Sequence, residues 1–320
     1  TEQRVDLTLF SEKIQELKDR IASVIVGQEQ TVDLVLTAIL ANGHVLIEGV
    51  PGVAKTLLAR LTARLIDADF SRVQFTPDLM PSDVLGTTVF NMKTNAFDFH
   101  QGPIFADIVL VDEINRAPAK TQAALFEVME ERQISIDGTT HRMGDLYTIL
   151  ATQNPVEQEG TYKLPEAQLD RFLMKITMDY PSLEEEVNIL ERHHTNAALV
   201  KLDDIVPAIT KEELLSLRAF MNQVFVDRTL LQYIALIVQQ TRTSKAVYLG
   251  ASPRASVAML QSSKAYALLQ GRDFVTPEDI KFVAPYVLQH RLILTAEAEM
   301  EGYSPVKVTQ RLIDKVEVPK

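Results

Sequence analysis

The chain has 320 residues, 46% of them hydrophobic, and is long enough for two domains with packed cores. No apolar run approaches the roughly 18 residues of a membrane-spanning helix, and the polar amino terminus does not resemble a signal peptide, so we expect a cytoplasmic protein without membrane contact. Cysteine is absent, which excludes disulfides, and the net charge of −11 disfavours binding to nucleic acid through a broad basic face.

Helical patterns come first, followed by strands that alternate with helices. Hydrophobic residues recur at helical spacing over residues 10–21, which predicts an amphipathic helix packed on the main domain, and a second helix follows at residues 30–41. Strands are predicted at residues 44–49, 72–76, 108–112, 146–152 and 174–178, with helices at residues 57–66, 118–131 and 166–172 between them. This alternation predicts a doubly wound, five-stranded parallel sheet.

Two hairpins and a helical region complete the pattern. Alternating runs at residues 87–92 and 96–100 predict one hairpin, and residues 133–143 predict another with an Asp137-Gly138 turn. We expect a domain at residues 1–181, a linker helix and polar connector at residues 182–208, and an all-helical domain at residues 209–320. Its helices are predicted at residues 211–224, 229–241, 252–270, 277–288 and in part of 290–315.

Residues 44–59 have the composition of a phosphate-binding loop. In such a loop the backbone N–H groups and a helix amino terminus face phosphate oxygens, Lys55 reaches the terminal phosphates and the Thr56 hydroxyl holds Mg²⁺. Gly49, Lys55 and Thr56 match the usual pattern G-x-x-x-x-G-K-[ST]. Ala54 replaces the second glycine, which we expect to be tolerated only if its φ is negative. An ordinary strand-to-helix turn is the alternative.

Polar residues follow two further strands at the edge where a parallel sheet binds ligands. Asp112 would bind Mg²⁺ through water, and Glu113 would deprotonate an attacking water. Asn154 could hold the same water with its amide. The alternatives are a strand that ends in solvated charges and a turn-forming asparagine before Pro155.

Arg254 lies in the first turn of a predicted helix, where a cation is unfavourable by a few tenths to ~1 kcal/mol. A nucleotide phosphate or a nearby carboxylate would compensate it. The adjacent His193 and His194 point in different directions on their helix, so we expect no shared metal site there and no structural metal.

Together these motifs resemble the AAA+ ATPases, and within them the MoxR family of the magnesium-chelatase-like clade, from about residue 24 to 288. The resemblance is carried by GVPGVAKT at residues 49–56, LVDEINR at 110–116, ATQNP at 151–155, LPEAQLDRF at 164–172 and SPR at 252–254. An alanine before the lysine is itself the MoxR form. The implied fold is a P-loop NTPase αβα sandwich, the AAA+ core, with a C-terminal all-α lid.

The resemblance also assigns roles. Four residues would act in catalysis: the general base Glu113, sensor 1 Asn154, the arginine finger Arg171, given to a neighbour's ATP, and sensor 2 Arg254. The residues implied to bind ATP are Gly27, Gln28, Gly49, Val50, Pro51, Gly52, Val53, Ala54, Lys55, Thr56, Leu57, Asp112 and Arg254. Thr56 and Asp112 would hold Mg²⁺, and Arg116 is a candidate for contact across a subunit interface.

The implied function is Mg²⁺-dependent ATP hydrolysis that drives chaperone-like remodelling, maturation or metal insertion of a client protein complex. The resemblance implies a hexameric ring, partners with von Willebrand factor A domains, and hairpins that line the pore or one face of the ring. The sequence does not identify the client. The alternatives are an AAA+ motor acting on nucleic acid, which the acidic charge disfavours, and a nucleotide-gated binding module with little turnover.

Overall fold

The computed structural model describes residues 6–50, 52–154, 160–195 and 201–320, and the first part of the chain folds into a sheet with helices on both faces. We call this part the core domain. Its elements are, in chain order, α1 (Leu7–Val24), α2 (Glu29–Leu40), β1 (Val45–Gly49), α3 (Lys55–Leu65), β2 (Phe70–Gln74), α4 (Pro81–Leu85), β3 (Gly86–Asn91), β4 (Ala96–Gln101), β5 (Ile108–Asp112), α5 (Ala119–Glu131), β6 (Gln133–Ile136), β7 (Thr139–Arg142), β8 (Thr148–Gln153), α6 (Glu166–Leu169), β9 (Met174–Met178) and α7 (Leu183–His194).

The sheet has five parallel strands in the order β2-β5-β8-β1-β9, which confirms the prediction. Side chains of β1 alternate between two cores: Val45 and Ile47 face the core that includes α2 and α3, whereas Leu46 faces the core that includes α5. Because helices cover both faces, the central strands are buried and rich in apolar residues. The carboxyl ends of β5, β8 and β1 therefore lie side by side along one edge of the sheet.

Both predicted hairpins are present. β3 pairs antiparallel with β4 and β6 with β7, and the turn of the second hairpin has positive φ at Asp137 (50°) and Gly138 (78°), as a two-residue hairpin loop requires. The predicted strand at residues 72–76 begins earlier, at Phe70. Its backbone pairs with β5 from Ile108 onward, although the first residues of β2 carry no alternating pattern.

Helix α1 is the predicted amphipathic helix. The Asp6 carboxylate caps it by accepting from the N–H groups of the first turn. Its buried residues are Ile14, Leu17 and Ile21, and the helix contacts both α3 of the core domain and α10 (Pro253–Leu269) of the domain that follows. The amino-terminal helix thus packs against both domains.

The last part of the chain forms a helical domain, which we call the lid. Besides α10, its elements are α8 (Lys211–Phe220), α9 (Arg228–Thr243), β10 (Val247–Leu249), α11 (Pro277–Leu288), β11 (Ile293–Leu294), α12 (Ala296–Met300) and α13 (Pro305–Lys315). The predicted helix at residues 211–224 ends at Phe220, and a 3₁₀ turn, Met221–Gln223, follows. The all-helical prediction is wrong in one detail, because β10 and β11 form an antiparallel pair. Strands this short carry no hydrophobic period.

The segment between the two domains begins with α7, which Ser182 and Glu185 cap reciprocally as a capping box. Of the predicted connector, residues 196–200 lie outside the described residues. Its last part packs on the core domain rather than forming a free linker, since the N–H of Ala208 donates to the carbonyl of Leu65 at 2.9 Å. The domain boundaries at residues 181 and 208 stay predictions. Within the described ranges, no helix is long and apolar enough to cross a membrane.

Candidate active site

The loop between β1 and α3 turns sharply before the helix begins. Gly52 has a φ of +85° and Ala54 a φ of +57°, so both lie in the left-handed region. The expectation of a negative φ at Ala54 is therefore wrong. Ala54 is the N-cap of α3, and the turn from the strand into this helix forces the left-handed conformation there, at a cost of about 1 kcal/mol for a residue with a Cβ. Pro51 lies outside the described residues.

Apolar side chains hold the loop on the core. Val53 is buried, and Val50 and Leu57 are partly buried against the same core that covers one face of β1. These three predicted ligand-binding residues thus use their side chains for packing, and only their backbone groups remain for a ligand.

Lys55 lies beside the loop and near two carboxylates. Its Nζ donates to the carbonyl of Gly49 at 3.0 Å. Partial burial lowers the pKa of Lys55, and the charges of Asp112 and Glu113 oppose this shift. The structure therefore brings the loop lysine near the carboxylates at the end of β5, and their joint role in binding ATP and Mg²⁺ stays a prediction.

Asp112 and Glu113 are held by a buried hydroxyl. The Thr152 hydroxyl donates to Asp112 Oδ1 at 3.0 Å and accepts from the N–H of Glu113 at 3.0 Å. The second Asp112 oxygen accepts from Arg72 Nε at 2.6 Å. Glu113 itself has a φ of +54°, which turns the chain out of β5. Thr152 thus fixes the relative position of the two carboxylate residues.

The Glu113 side chain has two further neighbours. Gln74, the last residue of β2, donates from its amide to Glu113 Oε2 at 3.1 Å. Arg116 Nε lies 3.1 Å from the same oxygen. Arg116, which we expected at a subunit interface, therefore contacts Glu113 within the chain, and its role across an interface stays a prediction.

Asn154 lies between the loop and these carboxylates. It follows β8, which pairs with β1 on one side and β5 on the other. It therefore lies at the same end of the sheet as the loop and the carboxylates, and its contact with an attacking water stays a prediction. Gln153 beside it donates to Glu48 Oε2 at 2.7 Å and so joins the ends of β8 and β1.

Gly27 lies against the first turn of α7. Its φ is +75°, a conformation that favours glycine, and the carboxylate of Glu185 lies against this position. The side-chain oxygen of Gln28 accepts from the Thr31 hydroxyl at 2.9 Å. The predicted contact of Gly27 and Gln28 with adenine stays a prediction.

Arg171 and Arg254 lie at the opposite end of the strands from the loop, near the amino end of β9. Arg171 Nη1 donates to the carbonyl of Phe126 at 2.8 Å and lies 3.7 Å from Glu130 Oε2. Arg254 Nη2 donates to Glu130 Oε1 at 3.0 Å, and Nη1 lies 3.5 Å from Asp170 Oδ2. Of the two partners that the sequence left open for Arg254, the structure shows carboxylates. We call Arg171 and Arg254 the arginine edge.

The arginine edge is far from the loop of the same chain. β1 and β9 run in register from Val45 opposite Met174 to Gly49 opposite Met178. The loop follows the carboxyl end of β1, whereas Arg171 precedes the amino end of β9. At about 3.3 Å per residue, the strands alone separate the two by at least about 13 Å. Arg171 thus lies away from the loop of its own chain, and Arg254 is paired with the same Glu130 that Arg171 contacts.

The lid forms hydrogen bonds to the segment that carries Arg171. Arg291 donates to Asp170 Oδ1 at 2.7 Å and to the carbonyls of Phe172 and Leu173 at 3.0 and 3.1 Å. His290 Nε2 lies 2.8 Å from the carbonyl of Phe172. Burial lowers the pKa of Arg291, and Asp170 opposes the shift. These contacts fasten the lid to the residues that lead into the edge strand β9, and Gln289 of the lid also donates to the carbonyl of Lys175 within this strand.

The sequence did not indicate five residues that surround the loop-side carboxylates and the arginine edge. They are Arg72, Gln74, Glu130, Thr152 and Arg291. Gln74 and Thr152 carried a signal, since both are polar residues at or near the end of a strand of the sheet. Glu130 and Arg291 carried none, because their contacts depend on how the lid sits on the core domain.

Comparison with known proteins supports the resemblance found in the sequence. Residues 44–174 match the family described as ATPase family associated with various cellular activities (AAA), and residues 239–314 match the AAA lid domain. The uncharacterized protein YeaC of Bacillus subtilis is 47% identical over 94% of this chain and 93% of its own length. Chaperone MoxR1 of Mycobacterium tuberculosis is 44% identical over 94% of this chain and 81% of its own.

The chain belongs to the MoxR family of AAA ATPases. The crystal structure of a candidate ATPase from Cytophaga hutchinsonii has the same fold, with a TM-score of 0.90, 40% identity, and coverage of 98% of this chain and 97% of that one. This MoxR-family protein is therefore an ATPase, with an AAA core and an AAA lid.

The loop of this MoxR-family ATPase fits a nucleotide. A Cβ added at Gly52 would meet no atom within 4 Å, so this face of the loop is open to a ligand. No side chain of the described residues caps the start of α3, so the N–H groups of its first turn are available to phosphate oxygens. Lys55 adds a positive charge beside them.

Proposed function

We propose that this MoxR-family protein is a Mg²⁺-dependent ATPase whose active sites are shared between neighbouring copies, and that hydrolysis drives remodelling of a client protein complex. The observation that carries the proposal is the position of the arginine edge, which lies at the amino ends of the strands, whereas the loop lies at their carboxyl ends. The two arginines can then serve only the nucleotide of another copy.

On the loop side, the chain binds and orients ATP. Lys55 and the N–H groups of the first turn of α3 bind the β- and γ-phosphates. Thr56 and Asp112 would hold Mg²⁺, which supplies charge neutralisation when bound. Glu113, oriented by Gln74 and Thr152, takes the proton of the attacking water, and Asn154 fixes that water.

On the other side, Arg171 and Arg254 stabilise negative charge that develops on the neighbour's phosphates. This assigns the lid arginine, sensor 2 in the family's terms, to the neighbour rather than to its own loop. An assembly in which every loop meets an arginine edge is a closed ring, and membership in the family supports a hexamer.

The client side of the proposal rests on the family. One relative is named a chaperone, which supports a chaperone-like role, and partners with von Willebrand factor A domains and maturation or metal loading of a client are the activities that the resemblance suggests. The first hairpin, β3 and β4, exposes apolar side chains that suit contact with a protein. They are Val89, Phe90, Met92 and Phe97.

Two variants test the shared site. Glu113→Gln removes the base but leaves the arginine edge intact, whereas Arg171→Ala impairs the arginine edge but leaves the loop intact. Each alone should hydrolyse ATP at least about a hundredfold more slowly than wild type. A mixture should regain turnover, since some interfaces then combine an intact loop with an intact Arg171. Phosphate release measures this, and a mixture no faster than the sum of its parts would contradict the proposal.

A further inference from the structure

Glu130 lies between the two residues of the arginine edge and contacts both. Its Oε1 is 3.0 Å from Arg254 Nη2, and its Oε2 is 3.7 Å from Arg171 Nη1. One carboxylate thus holds an arginine of the lid and an arginine of the core domain with different oxygens. Two guanidinium groups this close repel each other, so the shared carboxylate offsets their repulsion.

No other described contact replaces this bridge. Arg254 also lies 3.5 Å from Asp170 Oδ2, but Asp170 already accepts from Arg291 Nε at 2.7 Å. Of the residues that the structure describes, Glu130 alone forms ion pairs with both Arg171 and Arg254. The Phe126 carbonyl and Asp170 each hold one of the arginines, whereas Glu130 links the two to each other.

We propose that Glu130 is a positioning residue, which gathers Arg171 and Arg254 into one pair and presents this pair to the triphosphate on a neighbouring copy. The inference rests on the proposed function, in which both arginines act across an interface. A carboxylate that bridges two guanidinium groups offers them the same kind of charged oxygen as a phosphate. The side chain of Glu130 is 39% exposed and that of Arg254 58%, so phosphate oxygens can reach the pair from solvent.

The mixture of Glu113→Gln and Arg171→Ala copies tests this role. In that mixture, the Glu113→Gln copy supplies the working arginine edge and the Arg171→Ala copy supplies the working loop. Adding Glu130→Gln to the first copy should lower the restored turnover roughly tenfold, as expected when a group that contacts the substrate is misplaced. Adding it to the second copy should change nothing, because the arginine edge of that copy is already impaired.

The matched control is Glu131→Gln, which removes an exposed charge from the next residue of the same helix and should leave turnover unchanged in either copy. If Glu130→Gln lowers turnover to a similar extent whichever copy carries it, the residue has a role in folding or assembly. If it lowers turnover in neither mixture, the arginines need no bridge. Both results overturn the proposal. If the parent mixture restores no turnover, the shared site itself is contradicted.

Discussion

Thr152 shows how one side chain sets the geometry of the site. Its hydroxyl is bonded to both Asp112 and the backbone of Glu113, and its side chain is buried. A side chain of the neighbouring strand β8 thus orients both residues at the end of β5. Residues that approach a ligand need such support, since small displacements cost much activity.

We predict that Thr152→Val lowers kcat about tenfold and leaves ATP affinity within about twofold, because the variant loses the bond to Asp112 and leaves the Glu113 N–H unpaired while the loop is unchanged. Phosphate release and calorimetric titration measure the two quantities. Thr148→Val is the matched control, since this buried hydroxyl bonds the carbonyl of Leu146 at the other end of β8. Equal losses of kcat in both variants would contradict the positioning role.

At single residues, chemistry was predictable and conformation was not. The sequence predicted that Lys55, Asp112 and Glu113 come together, because residues at the carboxyl ends of neighbouring parallel strands share an edge. It did not predict the left-handed φ of Ala54, since a Cβ disfavours this conformation and only the path of the turn imposes it. The partner of Arg254 was equally undecided.

At the scale of elements, His44 joins one strand to its neighbours. It precedes β1, its Nδ1 accepts from the N–H of Ile149 at 2.9 Å, and its Nε2 lies 3.1 Å from the carbonyl of Met129 at the end of α5. Burial, with a smaller effect of the Arg132 charge, lowers the pKa of His44 from 6.5 to about 3. The folded protein therefore keeps this imidazole neutral.

This predicts a pH dependence of stability. Between about pH 6 and pH 4 the unfolded chain binds a proton at His44 that the folded chain does not. The contribution of His44 to the free energy of unfolding is therefore retained above pH 6.5 and falls by about 1.4 kcal/mol per pH unit between about pH 6 and pH 4. His44→Gln should reduce this slope, as measured by urea unfolding at several pH values. His193→Gln, at an exposed position, should not. An unchanged slope in His44→Gln would refute the assignment.

Elements with a hydrophobic period or a clear turn motif were predictable from the sequence, whereas the shortest strands of the lid were not. The helix at Pro277–Leu288 was predicted with its observed bounds, and in the structure Thr276 caps it and a proline opens its first turn. The pair β10 and β11 was missed, since three and two residues respectively are too few to show a period. The start of β2 was missed because pairing with β5, rather than its own side chains, defines it.

For the whole molecule, the arrangement of the lid matters most. Arg291 and His290 fasten the lid to the segment around Arg171, and Arg254 reaches Glu130 from the lid, so the arginine edge belongs to both domains. A change in the orientation of the lid would therefore displace Arg254 and the segment around Arg171 at the same time. No pattern in the sequence predicts this, because it arises from contacts between residues more than a hundred positions apart.

A shared site makes turnover depend on assembly. We predict that ATP hydrolysis per copy of the wild-type protein rises at least about tenfold as concentration increases and then levels off, because only assembled copies receive Arg171 from a neighbour. Light scattering and phosphate release over a dilution series measure this together. In Arg171→Ala the rate per copy should stay low throughout. A wild-type rate independent of concentration, in samples that scattering shows to dissociate, would exclude the shared site.

Because the loop and the arginine edge are widely separated, each copy has one surface that would bind the nucleotide and a different surface that would supply the arginines. An open row of copies stacked head to tail always leaves one loop and one pair of arginines unused, whereas a closed ring leaves neither. An inhibitor bound only to the arginines would consequently silence the copy next door and spare its own host.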